Sequence, residues 1–191
     1  MTLPDGSVQA RLMISHNGHP FWGFQGIPYA QPPVGPLRWL PPQPSLGWNG
    51  TLDGSVSPPM CVQGVPDTDS FRSKNWIPSA RMGYEDCLIV NVYTTALEIS
   101  ERDTYVPVLV WFHGGGLASG EGGMYGPDFL IEYGIVVVTV NYRLGPWGEL
   151  SLDSSRISGN QGLRDQTLAL EWVQKNIHHF GGDSSMVIRT E

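Results

Sequence analysis

Two stretches decide the fold: IVVVTV at residues 135–140 and GNQGLRDQTLALEWVQKNIHHFGGD at residues 159–183. The first is apolar at nearly every position, as in a strand that is covered on both faces of a parallel sheet. The second has helical spacing, with Asn160 as the predicted N-cap and Gly181 and Gly182 as the stop. Its predicted buried face comprises Leu163, Thr167, Leu170, Val173, Ile177 and Phe180. The sequence therefore predicts a central strand followed by an amphipathic helix.

Compact β-branched runs on either side of these stretches predict further strands. They are Leu88–Tyr93, Val106–Phe112 and a last strand that starts at Met186, and the central strand itself is predicted over Ile135–Tyr142. Strands that alternate with helical or glycine-rich connections are typical of an α/β protein with a mostly parallel, doubly wound sheet.

The N-terminal third has a different character. Short strand-like runs at Val8–Ile14 and Phe21–Gln25 precede the proline-dense coil GIPYAQPPVGPLRWLPPQP at residues 26–44. Prolines recur there too often for a helix or a central strand. Residues 59–84 are polar and aperiodic, which predicts a long surface loop. At roughly 150 residues per domain, 191 residues correspond to one domain and a fraction.

Charge and hydropathy exclude several partners. The chain has 11 basic and 18 acidic side chains, a net charge of −7, and lysine only at positions 74 and 175. No basic patch is available to neutralise phosphates, so we expect no nucleic acid. The apolar runs are far shorter than the ~20 residues of a membrane span. The N-terminal MTLPDGSVQA has neither a basic nor an apolar region of an export signal.

Metals and cofactors are also not predicted. The two cysteines, Cys61 and Cys87, lack the matching Cys/His set of a tetrahedral zinc site. The five histidines form no HExxH motif, and His178 and His179 are adjacent rather than one helical turn apart. The glycine-rich segments match neither G-x-G-x-x-G nor a phosphate loop ending in GK[ST].

The sharpest local feature is PVLVWFHGGGLASGEGG, a predicted strand that runs directly into His113-Gly114-Gly115-Gly116. Glycine lets backbone N–H groups face a ligand without interference from a Cβ atom. One interpretation is the oxyanion hole of lipases and esterases, which carries an HGGG motif. The alternative is a tight turn that is merely rich in glycine.

Five motifs follow one another along the chain: GIPYAQPPVGPLRW, EDCLIVNVY, HGGG, VVVTVNYRLGPWG and GNQGLRDQTLALEWVQKNIHHFGGD. In these motifs and their order the chain resembles type-B carboxylesterases, the esterase, cholinesterase and neuroligin group of α/β-hydrolases. The resemblance implies an α/β-hydrolase fold in which N-terminal antiparallel strands lead into the parallel sheet. It also implies that Gly115 and Gly116 are oxyanion donors and that Cys61 and Cys87 form a disulfide.

The resemblance stops at FGGDSSMVIRTE, residues 180–191, because no G-x-S-x-G nucleophile motif occurs anywhere in the sequence. We therefore expect residues 1–191 to be the N-terminal part of a single carboxylesterase domain, truncated before the nucleophile elbow. Arg189 would then carry a charge in a central buried strand, which is costly. The missing elbow strand would leave an open sheet edge beside IVVVTV, which predicts self-association.

By resemblance, the complete relative cleaves a small-molecule carboxylic ester through an acyl-enzyme. We expect this chain alone to be inactive, since the serine, the acid and the histidine of the triad are absent. A non-catalytic, neuroligin-like binding or adhesion protein is the alternative function. The family and the cysteine pair suggest an extracellular location.

Further site residues are predicted with their alternatives. Trp76 and Leu117 are candidates to line a substrate pocket, and the alternative for Trp76 is a loop aromatic that packs on the surface. Asn49 begins the only N-x-[ST] sequon, a glycosylation candidate or a chance occurrence. The resemblance places Arg38 near Glu85 and Arg143 near Asp165, which predicts two structural ion pairs rather than four solvated charges.

Overall fold

The computed structural model describes residues 1–64, 81–97, 105–152 and 157–190. The strands in these ranges are β1 (Thr2–Leu3), β2 (Gly6–Gln9), β3 (Arg11–Ile14), β4 (Pro20–Pro28), β5 (Thr51–Asp53), β6 (Gln63–Gly64), β7 (Arg81–Met82), β8 (Ile89–Thr94), β9 (Val106–Phe112), β10 (Val136–Val140) and β11 (Gly182–Thr190). The helices are α1 (Gly145–Glu149) and α2 (Gln161–Asn176), with 3-10 turns at Gly35–Leu37, Gly122–Met124, Leu130–Tyr133 and Ile177–Phe180. None of the described helices is long and apolar enough to cross a membrane.

The main sheet has six strands in the order β11-β9-β10-β8-β4-β3. The pairings of β9 with β10 and β11 are parallel, whereas those of β10 with β8, β8 with β4 and β4 with β3 are antiparallel. The described sheet is therefore mixed rather than mostly parallel. The parallel pairings of this sheet involve only strands beyond residue 105, whereas β8, β4 and β3 come from the N-terminal half and add antiparallel pairs. Of these, β3 and β4 are joined by a short turn, which favours an antiparallel pair. A separate three-stranded sheet of order β1-β2-β5 pairs β2 with β5 in parallel.

Strand β10 lies between β9 and β8, and all five of its residues are buried. The expectation of an open edge beside IVVVTV is therefore wrong, because β8 returns from the N-terminal half to pair with that side. The edge strands of the described sheet are β3 and β11, and β11 exposes Met186 and Ile188. Self-association remains a prediction, with β11 in place of β10 as the open edge.

Arg189 does not lie in a central buried strand, because β11 is the outermost strand of the described sheet. The side chain is exposed, and its guanidinium carbon lies 5.7 Å from the centre of the Phe112 ring. Its charge is therefore hydrated while it contacts an aromatic face, so the predicted cost of burial does not arise.

Helix α2 packs against the sheet with a different face from the predicted one. Leu163 and Thr167 are exposed, whereas Asp165, Ala169 and Trp172 are buried. The predicted residues Val173, Ile177 and Phe180 are buried as expected. The buried face is rotated because Asp165 points inward to reach a buried arginine.

Asn160 precedes the helix but forms no side-chain capping hydrogen bond, since its own backbone is left-handed.

Candidate active site

The glycine segment after β9 forms a tight loop over residues 113–120. The N–H groups of Ala118 and Ser119 both donate to the Gly115 carbonyl, at 3.1 and 3.2 Å. Gly115 has φ +118°, and a Cβ atom there would lie 2.0 Å from the Ser119 carbonyl oxygen. No other residue fits at position 115, so this glycine is required by the turn itself.

The backbone N–H groups of Gly115 and Gly116 lack hydrogen-bond partners among the described residues. Within the described part of the chain, neither donates a hydrogen bond, and both residues are exposed. Around Gly116, an added Cβ atom would meet nothing within 4 Å. Two successive free N–H donors beside open space are the kind of group that binds an anionic oxygen.

The loop begins at His113, whose position is fixed by Tyr142. The Tyr142 hydroxyl donates to the His113 carbonyl at 2.6 Å, and the two rings stack with centroids 4.5 Å apart. The His113 side chain is only 2% exposed, and its Nδ1 lies 2.9 Å from the Gly114 carbonyl oxygen. Because a carbonyl only accepts, Nδ1 carries the proton and the ring braces the first glycine.

Burial lowers the pKa of His113 below its ordinary value of about 6.5, although the hydrogen bond to Gly114 acts in the opposite direction. Below pH ~6.5 the unfolded chain therefore takes up this proton before the folded chain does. We expect the free energy of unfolding to be unaffected by His113 above that pH. Below it, the free energy should fall, by up to about 1.4 kcal/mol per pH unit, until the folded pKa is reached.

Urea denaturation of the wild type and of His113→Gln between pH 7.5 and 5 measures this effect. The variant should show a shallower decline, because its side chain does not titrate. His179, whose pKa is also lowered by burial and by neighbouring His178, contributes equally to both proteins. Identical slopes in the two proteins would show that His113 protonation is not linked to folding.

The middle of the loop is held by α1. The Gly145 N–H donates to the Leu117 carbonyl at 2.7 Å. This bond offsets the left-handed backbone of Leu117, at φ +58°, which is unfavourable for a residue other than glycine. The Leu117 side chain is half-buried against the main core cluster.

Arg38 and Glu85 form one of the two predicted ion pairs. The guanidinium contacts Glu85 Oε2 at 2.8 and 3.0 Å, and Trp147 Nε1 donates to Oε1 at 3.0 Å. Burial opposes ionisation of Glu85, but the hydrogen bonds from Arg38 and Trp147 outweigh it, so the pKa of Glu85 is lowered. The pair links the proline-rich coil to α1.

Arg143 and Asp165 form the second pair, which is buried, with side chains 3% and 0% exposed. Arg143 donates to both oxygens of Asp165, at 2.8 Å from Nε and 2.6 Å from Nη2, and its backbone N–H donates at 3.0 Å. Burial raises the pKa of Asp165, while these bonds favour its charged form. Nη1 donates to the Leu40 carbonyl at 2.9 Å, so the pair also holds the coil.

Cys61 and Cys87 form a disulfide, as the resemblance implied, with Cα atoms 5.1 Å apart. Both residues are buried, and the bond attaches the antiparallel β6–β7 pair to the start of β8. Two residues beyond Cys61, the side chain of Gln63 reaches the end of the glycine loop at Gly120. The disulfide and the loop are therefore neighbours in the fold.

Two predicted residues remain, Trp76 and Asn49. Trp76 lies outside the described residues. Asn49 is exposed just before β5, where a glycan would be accessible, and its modification stays a prediction. In the described ranges, no three His, Cys, Asp or Glu side chains are grouped as metal ligands would be.

Three supporting residues were not predicted. Tyr142 lies in the NYRLG motif, but nothing in that motif shows that its hydroxyl supports the chain 29 residues earlier. Asn141 accepts from the Gly122 N–H at 2.7 Å and donates to the Pro59 carbonyl at 3.0 Å. Gln63 carries no sequence signal beyond its closeness to Cys61.

The carboxylesterase family profile matches residues 1–188, and the chain belongs to the carboxylesterase family. Membership implies the α/β-hydrolase fold, with which the mixed sheet is consistent.

Individual relatives align with most of the chain. It is 46% identical to cocaine esterase of Oryctolagus cuniculus over 167 residues, which are 86% of this chain and 31% of that protein. It is 44% identical to carboxylesterase 3 of Homo sapiens over 169 residues, 86% of this chain and 29% of the relative. Juvenile hormone esterase of Tribolium castaneum is 39% identical over 186 residues, 95% of this chain and 29% of the relative. The chain thus spans about 30% of the length of these relatives.

Proposed function

We propose that residues 1–191 are the N-terminal part of a single carboxylesterase domain and supply the oxyanion hole for cleavage of a small-molecule carboxylic ester. Family membership supports ester hydrolysis as the reaction class. The observation that carries the finer proposal is the pair of free, exposed N–H groups at Gly115 and Gly116. Leu117, half-exposed beside them, is proposed to line the acyl side of the site.

The proposed role of Gly115 and Gly116 is to stabilise the transition state of ester cleavage. When a nucleophile attacks an ester carbonyl, the carbonyl oxygen becomes an anion that needs hydrogen-bond donors. The Gly115 and Gly116 N–H groups would donate to that oxygen. Each such donor contributes roughly 10²–10³-fold in kcat. The sequence contains no G-x-S-x-G motif, so we propose that these residues alone do not turn over an ester.

A chimera tests this role. Residues 1–188 are joined to the two thirds of the rabbit cocaine esterase that they do not match, and hydrolysis of p-nitrophenyl esters is measured. In the test variant, glycolic acid replaces Gly116. This replaces the backbone N–H of residue 116 by an ester oxygen and adds no side-chain atom. The expected loss in kcat is roughly 10²–10³-fold, with little change in thermal stability.

The matched control is the same backbone change at Gly50, an exposed glycine with positive φ and nothing near its Cβ position. It should leave kcat unchanged. An active chimera in which the Gly116 change has no more effect than the Gly50 change would contradict the oxyanion role. Ester turnover by the 191-residue chain alone, abolished by Gly115→Pro, would contradict its proposed inactivity.

A further inference from the structure

The far end of the glycine loop is held by a side chain rather than by a strand. Gln63 Nε2 donates to the Gly120 carbonyl at 2.9 Å, and Gln63 Oε1 accepts from the Gly120 N–H at 2.9 Å. The side-chain amide thus reproduces the two reciprocal bonds that a residue in an antiparallel ladder would make. Gln63 is only 9% exposed, so water competes weakly for these bonds.

Gly120 is a position where the loop closes on itself. Its φ is +119°, and a Cβ atom there would lie 2.3 Å from His113 Nδ1 and 2.8 Å from the Gly114 carbonyl oxygen. The end of the loop therefore touches its beginning, with the two oxyanion donors between. Gly120 therefore packs against the His113 ring, which is the group that braces Gly114.

Gln63 is itself tied to the disulfide. Its Nε2 also donates to the Cys61 carbonyl at 3.2 Å, which fixes the side chain against the backbone of the bridged cysteine. The β6–β7 pair to which it belongs has only two rungs. The Cys61–Cys87 bond is consequently the strong restraint on where Gln63 lies.

We propose that Gln63 is a positioning residue for the oxyanion hole: its amide sets the conformation of Gly115 and Gly116 through Gly120, and the disulfide sets the position of Gln63. This inference rests on the proposed function for its catalytic meaning. The geometric part, control of Gly120 by Gln63, is independent of that function.

The test uses the 191-residue chain and amide hydrogen exchange followed by NMR. In Gln63→Met, which keeps the length and burial of the side chain, exchange at Gly120 should accelerate roughly ten- to hundredfold, the factor expected for losing one to two hydrogen bonds. The amide resonances of Gly115 and Gly116 should shift. Cys61→Ala/Cys87→Ala should accelerate Gly120 exchange in the same direction.

Gln25→Met is the matched control. Gln25 is 7% exposed and donates to the Tyr93 hydroxyl at 3.2 Å, in β4 rather than beside the loop. Any loss of global stability from removing a buried amide should therefore appear in both variants. Only the change at Gln63 should alter Gly115, Gly116 and Gly120 specifically.

A pH profile separates positioning from simple space filling. In Gln63→Glu the ionised carboxylate accepts from the Gly120 N–H but cannot donate to its carbonyl, whereas the protonated carboxyl can do both. Protection of Gly120, measured relative to wild type at each pH, should therefore recover as the introduced carboxyl becomes protonated. A space-filling role would give a flat profile.

Wild-type exchange at Gly120 in Gln63→Met, or equal loop shifts in Gln25→Met, would overturn the inference. The proposed function has a separate readout in the same samples. Titration of the wild-type chain with methylphosphonate, a tetrahedral oxyanion, should shift the Gly115 and Gly116 amides, and Gln63→Met should abolish that response. No response in the wild type would reject the oxyanion hole while leaving the Gly120 result to decide the role of Gln63.

Discussion

Asp165→Leu should lower the free energy of unfolding by about 3–5 kcal/mol, because it leaves the buried Arg143 guanidinium without its carboxylate. Arg143 is 3% exposed and donates three hydrogen bonds to Asp165, so no water replaces the lost partner. Urea denaturation followed by tryptophan fluorescence measures the loss. The effect is large enough to unfold a marginally stable domain.

The double variant Arg143→Met/Asp165→Leu keeps the prediction testable if the single variant does not fold. Removing both charges should recover part of the stability, because two apolar groups of similar volume leave no buried charge. Arg38→Met is the matched control: its side chain is 37% exposed, and exposed pairs contribute about 1 kcal/mol or less. Equal losses for Asp165→Leu and Arg38→Met would show that burial does not set the strength of these pairs.

Removal of the disulfide is expected to have the second largest effect on stability. The bond between Cys61 and Cys87 closes a loop of 27 residues, counting both ends. By loop-closure entropy, Cys61→Ala/Cys87→Ala should lower the free energy of unfolding by about 3.5 kcal/mol under oxidising conditions. Alanine is preferred to serine because both positions are buried.

A reductant distinguishes the covalent bond from the packing of the two side chains. Dithiothreitol should destabilise the wild type by nearly the same amount and leave the double alanine variant unchanged. If the variant is destabilised but the reduced wild type is not, the cysteines act through their packing, and the loop-closure account is wrong.

The hydrophobic periodicity of the sequence predicts the positions of strands and helices well. It predicts less well which face of a helix is buried. The run Val106–Phe112 coincides with β9, and Ile135–Tyr142 contains β10. The buried face of α2 could not be predicted by counting apolar residues, because it includes Asp165, which pairs with Arg143, and excludes Leu163. A carboxylate is buried only where an oppositely charged side chain pairs with it. Here that side chain is Arg143, which lies outside α2.

In the candidate active site, too, some residues could be predicted from the sequence and others could not. The HGGG motif could be recognised in the sequence because the turn itself requires glycine: a Cβ atom at Gly115 would overlap Ser119. Gln63 and Tyr142 act on that loop from positions 57 and 29 residues away along the chain. Polar side chains that support a site at such separations produce no local pattern, so only the folded arrangement reveals them.

The proline-rich coil between β4 and β5 determines when the molecule can finish folding. Hydrogen bonds hold the coil to the rest of the fold. They join Tyr29 to Asn141, Arg38 to Glu85, Trp39 to Pro146 and Leu40 to Arg143, across 112, 47, 107 and 103 residues of chain. All but the contact of Arg38 with Glu85 close longer loops than any strand pairing of the main sheet, and closing longer loops slows folding. The coil should therefore dock last, onto a sheet already assembled, and the glycine loop that α1 supports should reach its final shape only in that late step.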